Sequence, residues 1–257
     1  MKNSFTFITY RAVYSLQDMK TYLLFRAIDP LMLYLFFALF GAAILGSDYI
    51  EFIIIGNIVF ISSRTFLLNL IAMFKYERQT GTLGLNIASP TSTLQLLCRR
   101  LMIPFIDSLF VIAVSCVYAY FLFGIRMELS LIPYLCIVLL VLLFSSGSLA
   151  LLVASISLAF KDVNLLLNSI IGAMQIFCGV YFSITLFPHY VEVVCSWLPM
   201  TNSIIAIRDM VNGEVVFPYP LVLKEFLIGV VILVMASVSI KIMETIAKKT
   251  GALLEIE

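Results

Sequence analysis

Charge is what this sequence has least of. Only 12% of its 257 residues are Asp, Glu, Lys or Arg, against about 25% in an ordinary soluble domain. A chain that is 62% hydrophobic, with mean hydropathy +1.10, has too little polar surface to cover a water-facing globule. Hydrocarbon must be the solvent for much of it. A formal net charge of +1 supplies no field for nucleic acid. The single histidine, and the lack of HExxH, GxSxG or an acidic cluster, leave no metal centre or catalytic constellation. There is no GxxxxGK[ST] and no Gly-Lys dipeptide, so the chain cannot cradle nucleotide phosphates in a P-loop. The apolar runs show no alternation of the kind a membrane barrel strand needs. Five cysteines without CxxC spacing read as small hydrophobic fillers in preference to disulfide or metal roles. His189, just after Pro188, reads as an interfacial filler, with proton handling the alternative. No apolar h-region followed by small residues opens the chain, so its first spanning helix is expected to serve as the insertion signal.

What is present is a set of long apolar runs. A hydrocarbon core of about 30 Å needs about 20 helical residues to cross it. Six stretches qualify, at 28–47, 52–74, 103–124, 131–158, 165–187 and 222–243. They must be helices, because backbone groups in hydrocarbon need partners within their own segment. The fold expected is an all-α membrane protein, one transmembrane domain over 1–257. Its parts are an interfacial helix (1–27), helices one to five (28–187), a re-entrant segment (188–220), and helix six with a tail (221–257).

Lys and Arg set the orientation. Lys2, Arg11, Lys20 and Arg26 precede helix one; Lys75, Arg78, Arg99 and Arg100 follow helix two. Lys161 follows helix four, and Lys241, Lys248 and Lys249 follow helix six. The opposite side holds Arg126, Arg208 and Lys224. The positive-inside rule then places both termini in the cytosol.

Three segments do not span. In residues 3–26, Phe5, Ile8, Ala12, Leu16, Met19 and Leu23 fall on an arc of about 80°. Arg11 and Asp18 lie opposite. This is an amphipathic helix, lying on the inner membrane surface or packed on a soluble partner by the same stripe. Lys75–Arg100 is the longest cytosolic connection and is expected to hold a short helix from Glu77 to about Ile87, ended at Ser89-Pro90. Phe187–Pro220 is broken by Pro188, Pro199 and Gly213, yet is too apolar for a solvated loop. Val191–Cys195 and Ser203–Met210 are expected to be short helices dipping into the outer leaflet and capping a pathway.

Arg64 lies alone inside helix two, where a charge costs at least about 2.5 kcal/mol. Asn57 shares its helical face. Asp107 in helix three is a possible ion-pair partner, so Arg64 is either a structural tie or part of a polar pathway. Asn168, Ser169 and Gln175 of helix five are softer candidates for the same pathway.

Glu77-Arg78-x-x-Gly81-Thr82-Leu83, with Ser89-Pro90 and Arg99-Arg100, resembles the first cytosolic loop of type-2 ATP-binding-cassette exporter permeases. The likeness extends to the N-terminal surface helix, the helix count, the short loop Phe160–Val163 and the outer string Leu198-Pro199-Met200-Thr201. The resemblance implies that the loop carries a coupling helix seated in a separate P-loop ATPase. Two permeases and two ATPases would form the working unit. Glu77, Arg78, Gly81, Thr82 and Leu83 would be coupling contacts, with Arg11, Asp18, Lys161 and Asp162 secondary. ATP and Mg would sit on the partner, and this subunit would catalyse no bond change. The chain lacks the basic, Gly-Trp-bearing N-terminal string of polysaccharide-exporting relatives, which tilts the likeness toward the drug- and antibiotic-resistance branch. A prokaryotic plasma membrane and an amphiphilic cargo (drug, lipid-linked or peptide-like) are then expected. The alternative is a stand-alone secondary transporter; it would need broken helices with midplane acids, and helices four and six carry none at their centres.

Overall fold

A computed structural model of the chain describes residues 19–46, 49–79, 101–125, 128–157, 163–213 and 215–250. Among these are eight α-helices and no strand: α1 (Met19–Leu45), α2 (Ile50–Gln79), α3 (Met102–Phe123), α4 (Ile132–Ser157), α5 (Val163–Phe177), α6 (His189–Cys195), α7 (Thr201–Val211) and α8 (Tyr219–Thr250). Five of them, α1 to α4 and α8, are long and apolar enough to cross a membrane. The surface helix over residues 3–18 lies outside the described residues, as do Arg11, Asp18, Gly81, Thr82, Leu83, Lys161 and Asp162.

Several boundaries differ from the sequence expectation, each for a physical reason. No break separates a surface helix from helix one at residue 27, because α1 runs continuously from Met19 with Pro30 inside it. Pro30 gives up one backbone bond, while Tyr22 and Arg26 are anchored on α3 and hold the helix straight through. Helix two continues past residue 74 to Gln79, so Lys75–Gln79 is helix and not loop. Helix five stops at Phe177, well short of residue 187. Gly179 there takes a left-handed φ of 76°, which removes the backbone from helical geometry. At 15 residues α5 is about 22 Å long, shorter than the hydrocarbon core. Short helices form over the two stretches expected to hold them, as α6 and α7.

The α2 helix is the centre of the molecule. Of the 24 residues in its span, Ile50–Met73, 18 are buried, with α3 and α4 packed along it and α1 and α7 beside it. The α8 helix lies along α4. Phe66, Leu67 and Leu70 of α2 join Leu142, Leu143 and Leu151 of α4 in the main core. A smaller cluster joins Tyr34 and Ala38 of α1 to Ile54, Ile58 and Ile61 of α2. In lipid the hydrophobic effect does not drive helices together, so close packing and polar bonds must. The α4–α8 contact closes over Gly229, where an added Cβ would lie 2.9 Å from the Phe144 ring and 3.1 Å from the Ser145 Cα. Ser146 and Ser63 pair at 2.9 Å, Ser155 and Ser239 at 2.8 Å, and Tyr34 with Ser115 at 2.7 Å. Each such bond contributes about 0.6 kcal/mol in a membrane.

Candidate functional site

The charged groups inside this apolar body gather in three places. The first joins α1, α2 and α3. Asp107, 4% exposed, accepts from Tyr22 Oη at 2.7 Å and from the Asn69 amide, and pairs with Arg26 Nη2 at 2.9 Å. Arg26 also donates to Asn69 Oδ1 at 2.7 Å and, through Nε, to Tyr22 Oη at 2.9 Å. A buried carboxylate needs this many donors to remain in hydrocarbon. The expected Arg64–Asp107 tie is therefore not formed: Arg26, carried in by the longer α1, has taken Asp107.

The second place is an uncovered face. Arg64 Nη1 instead faces Asp29 Oδ2 at 3.7 Å, with side chains 32% and 56% exposed. Beside them Phe37 of α1 stacks on Tyr181 at 4.3 Å, and the Gln175 amide donates to the Tyr181 hydroxyl. On α5, Asn164, Asn168 and Gln175 fall within about 40° of one another at 100° per residue. Asn164 and Asn168 are exposed, and Gln175 is half-buried. Ser169, also exposed, donates to the Leu165 carbonyl at 2.8 Å. Arg64, Asn168 and Gln175 thus stand on open surface. Asn57 does not: it is fully buried, with its amide donating to the Ile53 carbonyl at 2.9 Å.

The third place is α7, held at both ends. Arg208, near its C-terminus, donates to the carbonyls of Gly179 (2.8 Å), Val180 (2.9 Å) and Phe52 (2.8 Å), clamping the end of α5 to the start of α2. Its guanidinium lies 3.3 Å over the Phe52 ring. Burial lowers the Arg208 pKa from its ordinary value to about 9, with Asp209 opposing the fall. The group still carries its charge at neutral pH. Gly56 makes the clamp possible, since an added Cβ would meet the Val180 oxygen at 2.2 Å. At the other end Glu225 of α8, fully buried, accepts from Ser145 Oγ at 2.5 Å and from the Met200 N–H at 2.6 Å. Its second oxygen lies 3.5 Å from the Asn202 amide. The Glu225 carboxyl group sits at the N-terminus of α7 and the Arg208 guanidinium near its C-terminus, the ends at which the helix dipole favours an acid and a base.

Sequence reading missed Arg26, Asn69 and Glu225 as parts of polar sites. A signal for Glu225 was present: Val222, Glu225, Ile228 and Gly229 recur at helical spacing and all are buried, so Glu225 occupies an inward position. Glu77 and Arg78 lie in the last turns of α2.

Search among curated proteins finds no match to the chain. The model of the family described as "ABC-2 type transporter" matches residues 3–211, most of the chain. With its five long apolar helices, the chain is an integral membrane protein and a transport permease, and it belongs to the ABC-2 type transporter family.

Proposed function

We propose that the chain is the permease of an ATP-driven exporter, working as a pair of permeases with two copies of a separate P-loop ATPase that binds the ATP and Mg. The observation that carries this reading is the half-exposed Arg64–Asp29 pair inside a spanning part of the chain. A charge facing lipid costs several kcal/mol, so this face calls for protein and water in front of it. A second permease copy set there would enclose a pathway lined by Arg64, Asn168 and Gln175. The α1 span, with 5 of its 22 residues buried, offers the surface for such a contact.

Energy would enter at the far end of α2. Because α2 is unbroken to Gln79, Glu77 and Arg78 stand on the axis of the most buried helix in the molecule. A push on the segment Glu77–Leu83 would be delivered along a rod into the core. Arg11, Asp18, Lys161 and Asp162 are proposed as secondary contacts on the same cytosolic surface. In this reading α5 and the bent segment after it form the sixth crossing, both termini are cytosolic, and the membrane is a prokaryotic plasma membrane. The cargo would be an amphiphile of the drug, lipid-linked or peptide class, as in the drug- and antibiotic-resistance branch.

A stand-alone secondary transporter is the second reading, and Glu225 is the observation in its favour. That acid lies in the second turn of α8, however, and is occupied by donors from Ser145 and Met200, not free at the midplane. The test is purification from native membranes. A P-loop ATPase should co-purify, and Glu77→Ala with Gly81→Trp should keep the permease folded while abolishing cargo-dependent ATP hydrolysis. Proton- or sodium-linked uptake by the purified chain alone in vesicles would overturn the proposal.

A further inference from the structure

Helices α3 and α4 are joined by the short 124–131 turn, yet each packs on α2 more than on the other. The gap between them is a cavity of about 330 Å³. Ile55, Ile58 and Val59 of α2 form its back wall, and Ile112 and Leu135 line its sides. Ile207 of α7 closes one end. Among the described residues, Cys116, Cys136 and Tyr120 are the sole lining side chains with a heteroatom. The mouth is open: Tyr120 is 54% exposed, Ile132 46%, and Cys136 is exposed as well.

We infer that this cleft is a binding site for one acyl chain of a membrane phospholipid, drawn from the leaflet nearest the 124–131 turn. Water is excluded as the occupant, because a buried water needs two to four polar partners and this lining has almost none to offer. An empty void is excluded by the open side, which admits whatever lies beside it, and beside a spanning helix that is hydrocarbon. The volume is at the lower end of the range for small-molecule pockets, which suits a single chain and not a ring system with polar anchors. A head group would stay outside, level with Tyr120, at the depth where aromatic side chains favour the membrane interface.

The geometry also separates this site from the proposed pathway. At 100° per residue, Ile55, Ile58 and Val59 centre on one side of α2, and Arg64 points about 180° away. The most buried helix of the molecule stands between the cleft and the charged face. A molecule in the cleft is therefore bilayer lipid and not cargo in transit. It would still touch the transport machinery, because Ile207 precedes Arg208, the residue that clamps α5 to α2. The chain would brace α7 from within. The lipid assignment itself does not rest on the exporter reading.

The experiment is photolabelling of the full chain in native membranes. The probe is phosphatidylglycerol or phosphatidylethanolamine carrying a diazirine at the end of one acyl chain, with adducts mapped by peptide mass spectrometry. Adducts on residues 112–120 and 135–139 are expected severalfold more often than on the outward faces of α1 and α8. Cys136→Trp, a plug at the exposed mouth that leaves the buried α2 contacts alone, should abolish the adducts on 112–120 and leave those on α1 and α8 unchanged. Equal labelling of cleft and outward faces would overturn the inference, as would adducts on 112–120 that persist in Cys136→Trp. So would a short bis-maleimide linking Cys116 or Cys136 of one copy to another, since that would put protein where the lipid is placed.

Discussion

The helices α1 and α2 are similar rods with opposite fates. They have 27 and 30 residues and spans of nearly equal hydropathy (1.8 and 1.6), yet 5 of 22 residues are buried in one span and 18 of 24 in the other. In water such a difference would be written as a polar face on the outer helix. In lipid the outward face can be as apolar as the core, so hydropathy says that a helix crosses and nothing about where it stands. What distinguishes the two is the small and polar residues among the apolar ones. The inner helix buries Gly56, Asn57, Ser62, Ser63 and Asn69, whereas the outer one turns Phe36, Leu39 and Phe40 away from the protein.

This contrast can be broken or sharpened by substitution, with thermal unfolding of the purified chain in mild detergent as the measurement. Arg208→Ala should cost most, about 2–6 kcal/mol, at about 1–3 for each of the Gly179 and Val180 carbonyls it strands after α5. Leu70→Ala, in the fully buried part of α2, should cost about 2–5 kcal/mol through the cavity it leaves. Gly56→Ala should cost about 1–3 kcal/mol, because the new methyl meets the backbone of Val180, which cannot simply turn aside. Leu39→Ala, 71% exposed on α1, should change stability by less than about 0.5 kcal/mol. A loss at Leu39 equal to that at Leu70 would mean that α1 is as deeply covered as α2, and the comparison would fail. A loss at Leu39 that appears only in the paired form would locate the covering copy.

The crossing helices were legible from the sequence because membrane thickness imposes a length that unbroken apolar runs satisfy. The short helices α6 and α7 were legible too, since Pro188, Pro199 and Gly213 bracket them. Side-chain partners were not. Arg26 and Arg64 both had the chemistry to meet Asp107, and the choice turned on where α1 begins. The apolar run reads as starting at residue 28, which leaves Arg26 outside the membrane. The anchoring of Tyr22 and Arg26 on Asp107 is a tertiary effect that no local propensity records. Helix five was read as too long for a similar reason: its apolar sequence continues, and the stop comes from Gly179 together with the distant Arg208 that takes the carbonyls of residues 179 and 180.

One backbone angle has a mechanical consequence. Met200, the residue before α7, stands at φ 72° although it is not glycine, a conformation that costs roughly 1–2 kcal/mol for an L-residue. Its N–H points at the Glu225 carboxylate. The first turn of α7 is thus cocked, like a spring under a catch, and the catch is one oxygen. Whatever draws that oxygen away releases tension as well as a bond, so α7 is biased to loosen from its α8 end first, while the arginine at its other end keeps hold.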